Sequence, residues 1–285
     1  MPVLVPDTLD DALAALDERP DATLVAGGTD LMVGINAGQV RPDHVIAIGR
    51  LTRSQWFNIS ETHATFDAGL PYSELVTGSL AEHVPILAQA ARTIGSPQIR
   101  NAGTLGGNLG TASPAGDGVA ALVALDADVV LQSVDGTRSI PVADFITGPR
   151  ATVRAPNEII TRVSVPIVRG PQEFLKVGTR NAMVISVASA ALVVDADERT
   201  MRLALGSVGP TVLRCPGAEA FGAAAVDWDT MTAPADAATE FGRLAAAAAR
   251  PIDDHRSTAD YRRRAVEVIA RRAFERSFAT EAAVR

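Results

Sequence analysis

Cysteine, histidine and aromatic side chains are all scarce in this chain, and each shortage excludes something. The single cysteine, Cys215, leaves no internal disulfide and fits a reducing compartment. An iron–sulfur cluster takes about four protein ligands, mostly thiolates, so this chain holds none by itself. The four histidines (His44, His63, His83, His255) are scattered, without the i, i+4 spacing of a helical zinc pair. Aromatics are 4% of the residues, so the core must be built from Ala, Val, Leu and Ile. No apolar run reaches the length of a membrane span. The opening Met-Pro-Val-Leu-Val-Pro-Asp-Thr lacks the basic and apolar regions of an export signal, and a cytoplasmic protein is expected. There is no low-complexity tract, no long block of one charge and no repeat at solenoid period.

What is present is a globular chain of 285 residues, 47% hydrophobic, with room for one large domain or two ordinary ones. The formal charge is −7. Six arginines crowd into Arg262 to Arg276, but the remainder is acidic, and nucleic acid is not an expected partner.

Periodicity divides the chain. Thr8 to Asp17 reads as an amphipathic helix with Thr8 as N-cap, Asp10 and Asp11 in its first turn, and Leu9, Leu13 and Leu16 on one face. Ala22 to Ala26 and His44 to Ile48 read as short strands, which gives a small lobe of about residues 1–54. Trp56 to Ser60 and His63 to Ala68 alternate and are expected to pair across Glu61-Thr62. A helix is predicted over Pro85 to Thr93, with proline in its first turn and Gly95 after its end. A glycine-rich stretch follows from Gly95 to Gly118; then come a short helix over Val119 to Leu125 and strands over Asp128 to Gln132 and Glu158 to Val165. These form a larger α+β lobe of about residues 55–168. Pro166 to Pro171 reads as a loop, and a boundary is placed there, with a C-terminal domain over 169–285. Glu173 to Gly178, Ile185 to Val194 and Met201 to Val208 are expected to be antiparallel strands. The final hundred residues lean helical and end in a helix over Ser257 to Phe278, with Tyr261, Ala265, Val268, Ile269 and Ala273 on one face and the arginines solvated.

Two segments carry most of the functional signal. One is Leu24-Val25-Ala26-Gly27-Gly28-Thr29-Asp30-Leu31. The other runs Ile94-Gly95-Ser96-Pro97-Gln98-Ile99-Arg100-Asn101-Ala102-Gly103-Thr104-Leu105-Gly106-Gly107-Asn108 and continues to Ala112-Ser113-Pro114-Ala115-Gly116-Asp117. A diphosphate needs several converging N–H donors, and glycines allow the close approach and positive φ that aim successive amides inward. Thr29, Thr104 and Asn108 add side-chain donors. A single Gly-Gly is more often a tight turn; two of them after apolar runs, each followed by small polar residues, tilt toward an anionic cofactor. Neither matches G-x-G-x-x-G or the P-loop, which disfavours a Rossmann site or a Walker ATPase.

Ala-Gly-Gly-Thr-Asp-Leu and Ile-Arg-Asn-x-Gly-Thr-Leu-Gly-Gly-Asn, with the later Ala-Ser-Pro-x-x-Asp, resemble the FAD-binding subunit of the xanthine dehydrogenase / carbon monoxide dehydrogenase family of molybdenum hydroxylases. The resemblance spans essentially the whole chain. It implies an α+β fold: a two-lobed FAD-binding domain of the vanillyl-alcohol-oxidase/PCMH-like type, followed by a C-terminal domain of antiparallel sheet plus helices. It also implies partners, namely a small 2Fe-2S subunit and a large molybdopterin subunit in a dimer of heterotrimers, with NAD, a quinone or oxygen as electron acceptor. By motif, Leu24 to Leu31 would wrap part of the FAD, with the amides around Gly27 to Thr29 on the diphosphate. Thr104, Leu105, Gly106, Gly107 and Asn108 would form a second diphosphate-binding turn. Ile94 and Gly95 would lie near the flavin, Asp117 and Lys176 would contact the cofactor, and Ile160 would cover part of it. The Gly-Gly-Thr-Asp form is more similar to xanthine dehydrogenase relatives than to carbon monoxide dehydrogenase flavoproteins, which implies a purine, another N-heterocycle or an aldehyde as the substrate of the complex.

Blander readings stand beside these. Ile160 is a core strand residue, Lys176 a surface lysine, Asp117 a helix N-cap and Arg100 a brace for its loop. Asp253-Asp254 reads as a loop rather than a carboxylate pair. No acid, base or nucleophile stands out. Two other classes remain: a stand-alone flavin oxidoreductase similar to UDP-N-acetylenolpyruvoylglucosamine reductase, and a flavin-free scaffold subunit. Co-purification with cluster- and molybdenum-bearing chains separates the first, and flavin absorbance the second.

Overall fold

The computed structural model describes residues 2–51 and 55–280. Its first unit is a three-stranded parallel sheet in which Val45–Ala47 lies between Val3–Leu4 and Thr23–Val25. The helix Leu9–Glu18 provides the crossover, and the Thr8 hydroxyl accepts the N–H of Asp11, as the capping pattern predicts. Ala12, Leu13 and Leu16 bury its apolar stripe in a small core with Ile46, Leu51 and, from the next unit, Ile159.

The second unit is a five-stranded antiparallel sheet in the order Phe57–Ile59, His63–Asp67, Ile159–Pro166, Asp128–Ser133, Gly136–Pro141. The helix Pro85–Thr93 begins at its proline, as expected. The glycine-rich stretch folds into two short helices, Pro97–Ala102 and Leu105–Thr111, whose caps Ser96 and Thr104 accept the N–H of Ile99 and of Gly107. In the helix Asp117–Ala124 every residue is buried. A helix that is apolar all round must be covered on all sides, and this one packs against the Pro85–Thr93 helix and two strands of the C-terminal sheet.

That third unit is a four-stranded antiparallel sheet, Gln172–Val177, Ala188–Asp195, Thr200–Gly206 and Leu213–Arg214. The run Ala188–Asp195 is apolar without alternation because both of its faces are covered. One face joins the core of the second unit; the other meets the helices Pro216–Ala225, Ala237–Ala248 and Ala259–Ser277. The last helix is phased differently from its expected face. Ala265, Ile269 and Ala273 are buried as predicted, but Tyr261 is exposed and Arg262 is 1% exposed. Arg262 is therefore not part of a solvated arginine face. It donates to Val187 O at 2.7 Å, Ser207 O at 2.9 Å and Asp254 Oδ1 at 2.6 Å. Three acceptors and the Asp254 charge offset the burial, although Nε has no partner among the described residues, and hydrophobic periodicity cannot register that. No helix among the described residues is long and apolar enough to cross a membrane.

Candidate functional site

The two glycine segments, over seventy residues apart in sequence, meet in space. A Cβ on Gly27 would stand 1.6 Å from Ala102 O, so the first turn lies flat against the end of the Pro97–Ala102 helix only because residue 27 has no side chain. A Cβ on Gly103 would meet Thr29 Oγ1 at 3.3 Å. Gly28 takes φ +69°, where an L side chain is disfavoured. The glycines were expected to admit a diphosphate; Gly27 serves first to join the two segments.

Beside this junction a cavity of about 1260 Å³ opens between the parallel sheet and the five-stranded sheet. Leu24, Ala26, Asp30, Leu31, Thr104, Gly106, Gly107 and Ile160 line it, so both segments and the strand residue Ile160 face one space. Ile160 is half-buried, both a lining and a packing residue.

The two turns differ in the donors they offer. Among the described residues, the N–H groups of Gly27, Gly28, Thr29 and Asp30 have no acceptor. In the second segment the Leu105 N–H goes to Leu70 O, the Gly106 N–H to Ala68 O at 2.8 Å, and the Gly107 N–H to the Thr104 hydroxyl at 3.0 Å. A row of backbone donors was expected from that turn, and the fold has already used them. What it leaves to the cavity is the Thr104 hydroxyl; Asn108 is not among the cavity-lining residues, and its Oδ1 is buried and unpartnered among the described residues. Unpaired amides on one side and a hydroxyl on the other suit an anionic ligand.

Asp117, Lys176, Ile94 and Gly95 lie apart from the cavity lining, around a buried ion pair. Lys176 Nζ donates to Asp117 Oδ2 at 2.7 Å, Thr93 O at 3.1 Å and Val184 O at 3.1 Å. Asp117 is not the N-cap of its helix; Gly116 is, and Asp117 is its first residue. Its carboxylate also accepts from Ser186 Oγ at 2.5 Å and Thr93 Oγ1 at 3.3 Å. Lys176 is thus no surface lysine: its bonds to Thr93 O and Asp117 fasten the C-terminal sheet to the second unit, and the third, to Val184 O, stays within the C-terminal unit. Arg100 is a brace, donating to Ile94 O and Gly95 O. Asn108 connects the two groups, since its Oδ1 would stand 3.0 Å from a Cβ on Gly118, one residue beyond Asp117. Tyr72 Oη packs on the same glycine; burial first, and the Asp117 charge second, push its phenol above the ordinary range.

Sequence reading missed the 146–158 region at the cavity rim. Arg150 and Arg154 line the cavity. Glu158 is buried and accepts from Arg138 and the Ala155 N–H. The Arg138 hydrogen bond, against a smaller effect of burial, holds the Glu158 carboxyl below its usual range. Asn157 reaches Asp17 across the lobes at 3.3 Å. The one cysteine, Cys215, is buried and its thiol is pushed up to about 12, chiefly by burial, so it supplies no thiolate. No cluster of three or more metal-ligating side chains occurs among the described residues.

The comparisons with known proteins agree with this geometry. Residues 1–168 match the family described as the FAD binding domain in molybdopterin dehydrogenase, and residues 173–277 match the CO dehydrogenase flavoprotein C-terminal domain. The FAD subunit of nicotinate dehydrogenase from Eubacterium barkeri is 38% identical over 201 residues, 68% of each chain. The medium subunit of nicotine 6-hydroxylase from Paenarthrobacter nicotinovorans is 31% identical over 280 residues, covering 94% of this chain and 93% of that one. A carbon monoxide dehydrogenase structure from Hydrogenophaga pseudoflava superposes with a TM-score of 0.87 at 27% identity, over 97% of this chain and 96% of that one. The chain belongs to the FAD-binding medium subunits of the xanthine dehydrogenase / carbon monoxide dehydrogenase family of molybdenum hydroxylases.

Proposed function

We propose that this chain is the electron-transfer subunit of a molybdenum hydroxylase, with FAD in the cavity between its lobes. The juxtaposition of the two glycine segments beside that cavity carries the reading. The free N–H groups of Gly27, Gly28, Thr29 and Asp30 would receive the diphosphate, since an anion gains most from donors the fold has not already engaged. Leu24, Val25, Ala26 and Leu31 would wall the same side. Thr104 and Asn108 would supply side-chain hydrogen bonds, while Leu105, Gly106 and Gly107 hold that turn in shape and Ile160 covers the cofactor. Ile94, Gly95, Asp117 and Lys176 would set the far end of the site. The buried Lys176–Asp117 pair fixes where the C-terminal domain, placed at residues 169–285, meets the FAD-binding domain.

Bound FAD would supply the redox chemistry, taking electrons from 2Fe-2S clusters in a partner subunit and passing them to NAD, a quinone or oxygen. The chain's own residues bind and orient. Substrate hydroxylation would occur in a large molybdopterin subunit, within a dimer of heterotrimers. The kinship with nicotinate dehydrogenase and nicotine 6-hydroxylase subunits supports an N-heterocycle as that substrate.

The test is isolation of the native assembly from its source cells. It should contain cluster-bearing and molybdenum-bearing chains, and this chain should carry flavin absorbance. A monomer active alone would favour the stand-alone oxidoreductase, and an assembly with no flavin on this chain would favour the scaffold.

A further inference from the structure

Arg150 stands at the rim of the inter-lobe cavity, at the tip of the hairpin that joins Ile146–Gly148 to Ala151–Thr152. Its φ is +58°, a conformation that costs an L residue about 1–2 kcal/mol and that glycine or asparagine usually fills. The backbone is held there by the Arg150 N–H on Ala112 O at 3.0 Å. An arginine at such a position calls for a reason in its side chain.

Stability does not provide one. Among the described residues the guanidinium makes one contact, Nη1 to Asp30 Oδ2 at 3.4 Å, with the side chains 72% and 48% exposed. An exposed pair of that kind is worth about 0–1 kcal/mol. Asp30 itself caps no N–H of the helix it precedes. Yet the pair spans the mouth of the cavity and joins the two lobes beside the free amides of Gly27 to Asp30. Asp30 is also an awkward neighbour for a diphosphate, since carboxylate and phosphate repel. Arg154, the next arginine on this rim, has Nη1 committed to Ala155 O, Pro156 O and Glu158 O.

We propose that Arg150 is a diphosphate-binding residue of this chain, one that also neutralises Asp30. Its guanidinium has donors enough to hold the carboxylate and a phosphoryl oxygen together, which a lysine's point charge does less well. The inference rests on the reading that the inter-lobe cavity takes FAD, and it assigns a cation to act beside the amides of Gly27 to Asp30.

The experiment titrates FAD, and separately ADP in competition, into the full-length chain stripped of flavin, following quenching of flavin fluorescence. Arg150→Ala should raise Kd for FAD and ADP by the same factor, about 10–100-fold, the worth of a hydrogen bond to a charged group. Arg150→Lys should recover part of the loss. Asp30→Ser introduced into Arg150→Ala should recover most of it, because the uncompensated carboxylate is gone. Thermal unfolding of Arg150→Ala without ligand should match wild type, which excludes misfolding as the cause. FAD and ADP affinities within about twofold of wild type in Arg150→Ala, or no recovery in the double variant, would overturn the assignment. A wild-type chain that takes up no FAD would overturn the cofactor reading itself, and this assignment with it.

Discussion

Gly27 shows how much one missing side chain carries. Alanine there would bring Cβ to 1.6 Å from Ala102 O, a backbone atom that moves only with its helix. Gly27→Ala should therefore part the two segments, destabilise the chain by about 1–3 kcal/mol as overpacking does, and lower FAD affinity at once. Denaturant midpoints and FAD titration check both. Full FAD affinity in that variant would separate the junction from the site. Arg262 is the opposite case, a large charged side chain held inside by its partners. Arg262→Met should cost about 3–5 kcal/mol, because two backbone carbonyls and Asp254 lose their donor together. The Asp254 carboxyl is pushed up by burial but pulled further down by its hydrogen bonds from Arg256 and Arg262, so its net shift is downward. A depressed carboxyl contributes stability that is present above the ordinary aspartate range of about 4 and lost as pH falls below it. The difference in Tm between wild type and Asp254→Asn should accordingly be largest near neutral pH and shrink on acidification. A difference independent of pH would contradict that sign.

At the scale of elements, legibility followed chemistry that is local in the chain. The helix Pro85–Thr93 was readable because proline starts it and Gly95 ends its reach. The C-terminal strands were readable because apolar runs alternate with short polar turns. The glycine-rich stretch from Gly95 to Gly118 was assigned no element; Ser96 and Thr104, each capping an N–H three residues on, were the signals of the two helices it contains. Tertiary contact overrode propensity there. The last helix was misphased by one position because a buried arginine looks, to a hydrophobicity pattern, like a solvated one. The Lys176–Asp117 pair joins residues 59 apart, and no periodicity reports such a contact. Its consequence belongs to the element it anchors. Lys176→Met should leave the carboxylate buried without its cation and loosen the C-terminal sheet from Thr93, seen as faster proteolysis between residues 166 and 188. Unchanged proteolysis would show that the domain contact stands without the pair.

For the whole molecule, the division of labour follows from the donor inventory. With one buried cysteine and no metal-ligating cluster among the described residues, this chain has the means to hold a nucleotide cofactor and not the means to hold a cluster. The three larger sheets place the cavity between the first two and let the third brace the second. The most direct measurement is residue-resolved amide hydrogen exchange on the full-length chain with and without FAD. The Gly27, Gly28, Thr29 and Asp30 amides, without an acceptor among the described residues, should gain strong protection on binding, while those of Leu105, Gly106 and Gly107, already bonded, should change little. FAD bound with no added protection at residues 27–30 would contradict the site drawn here.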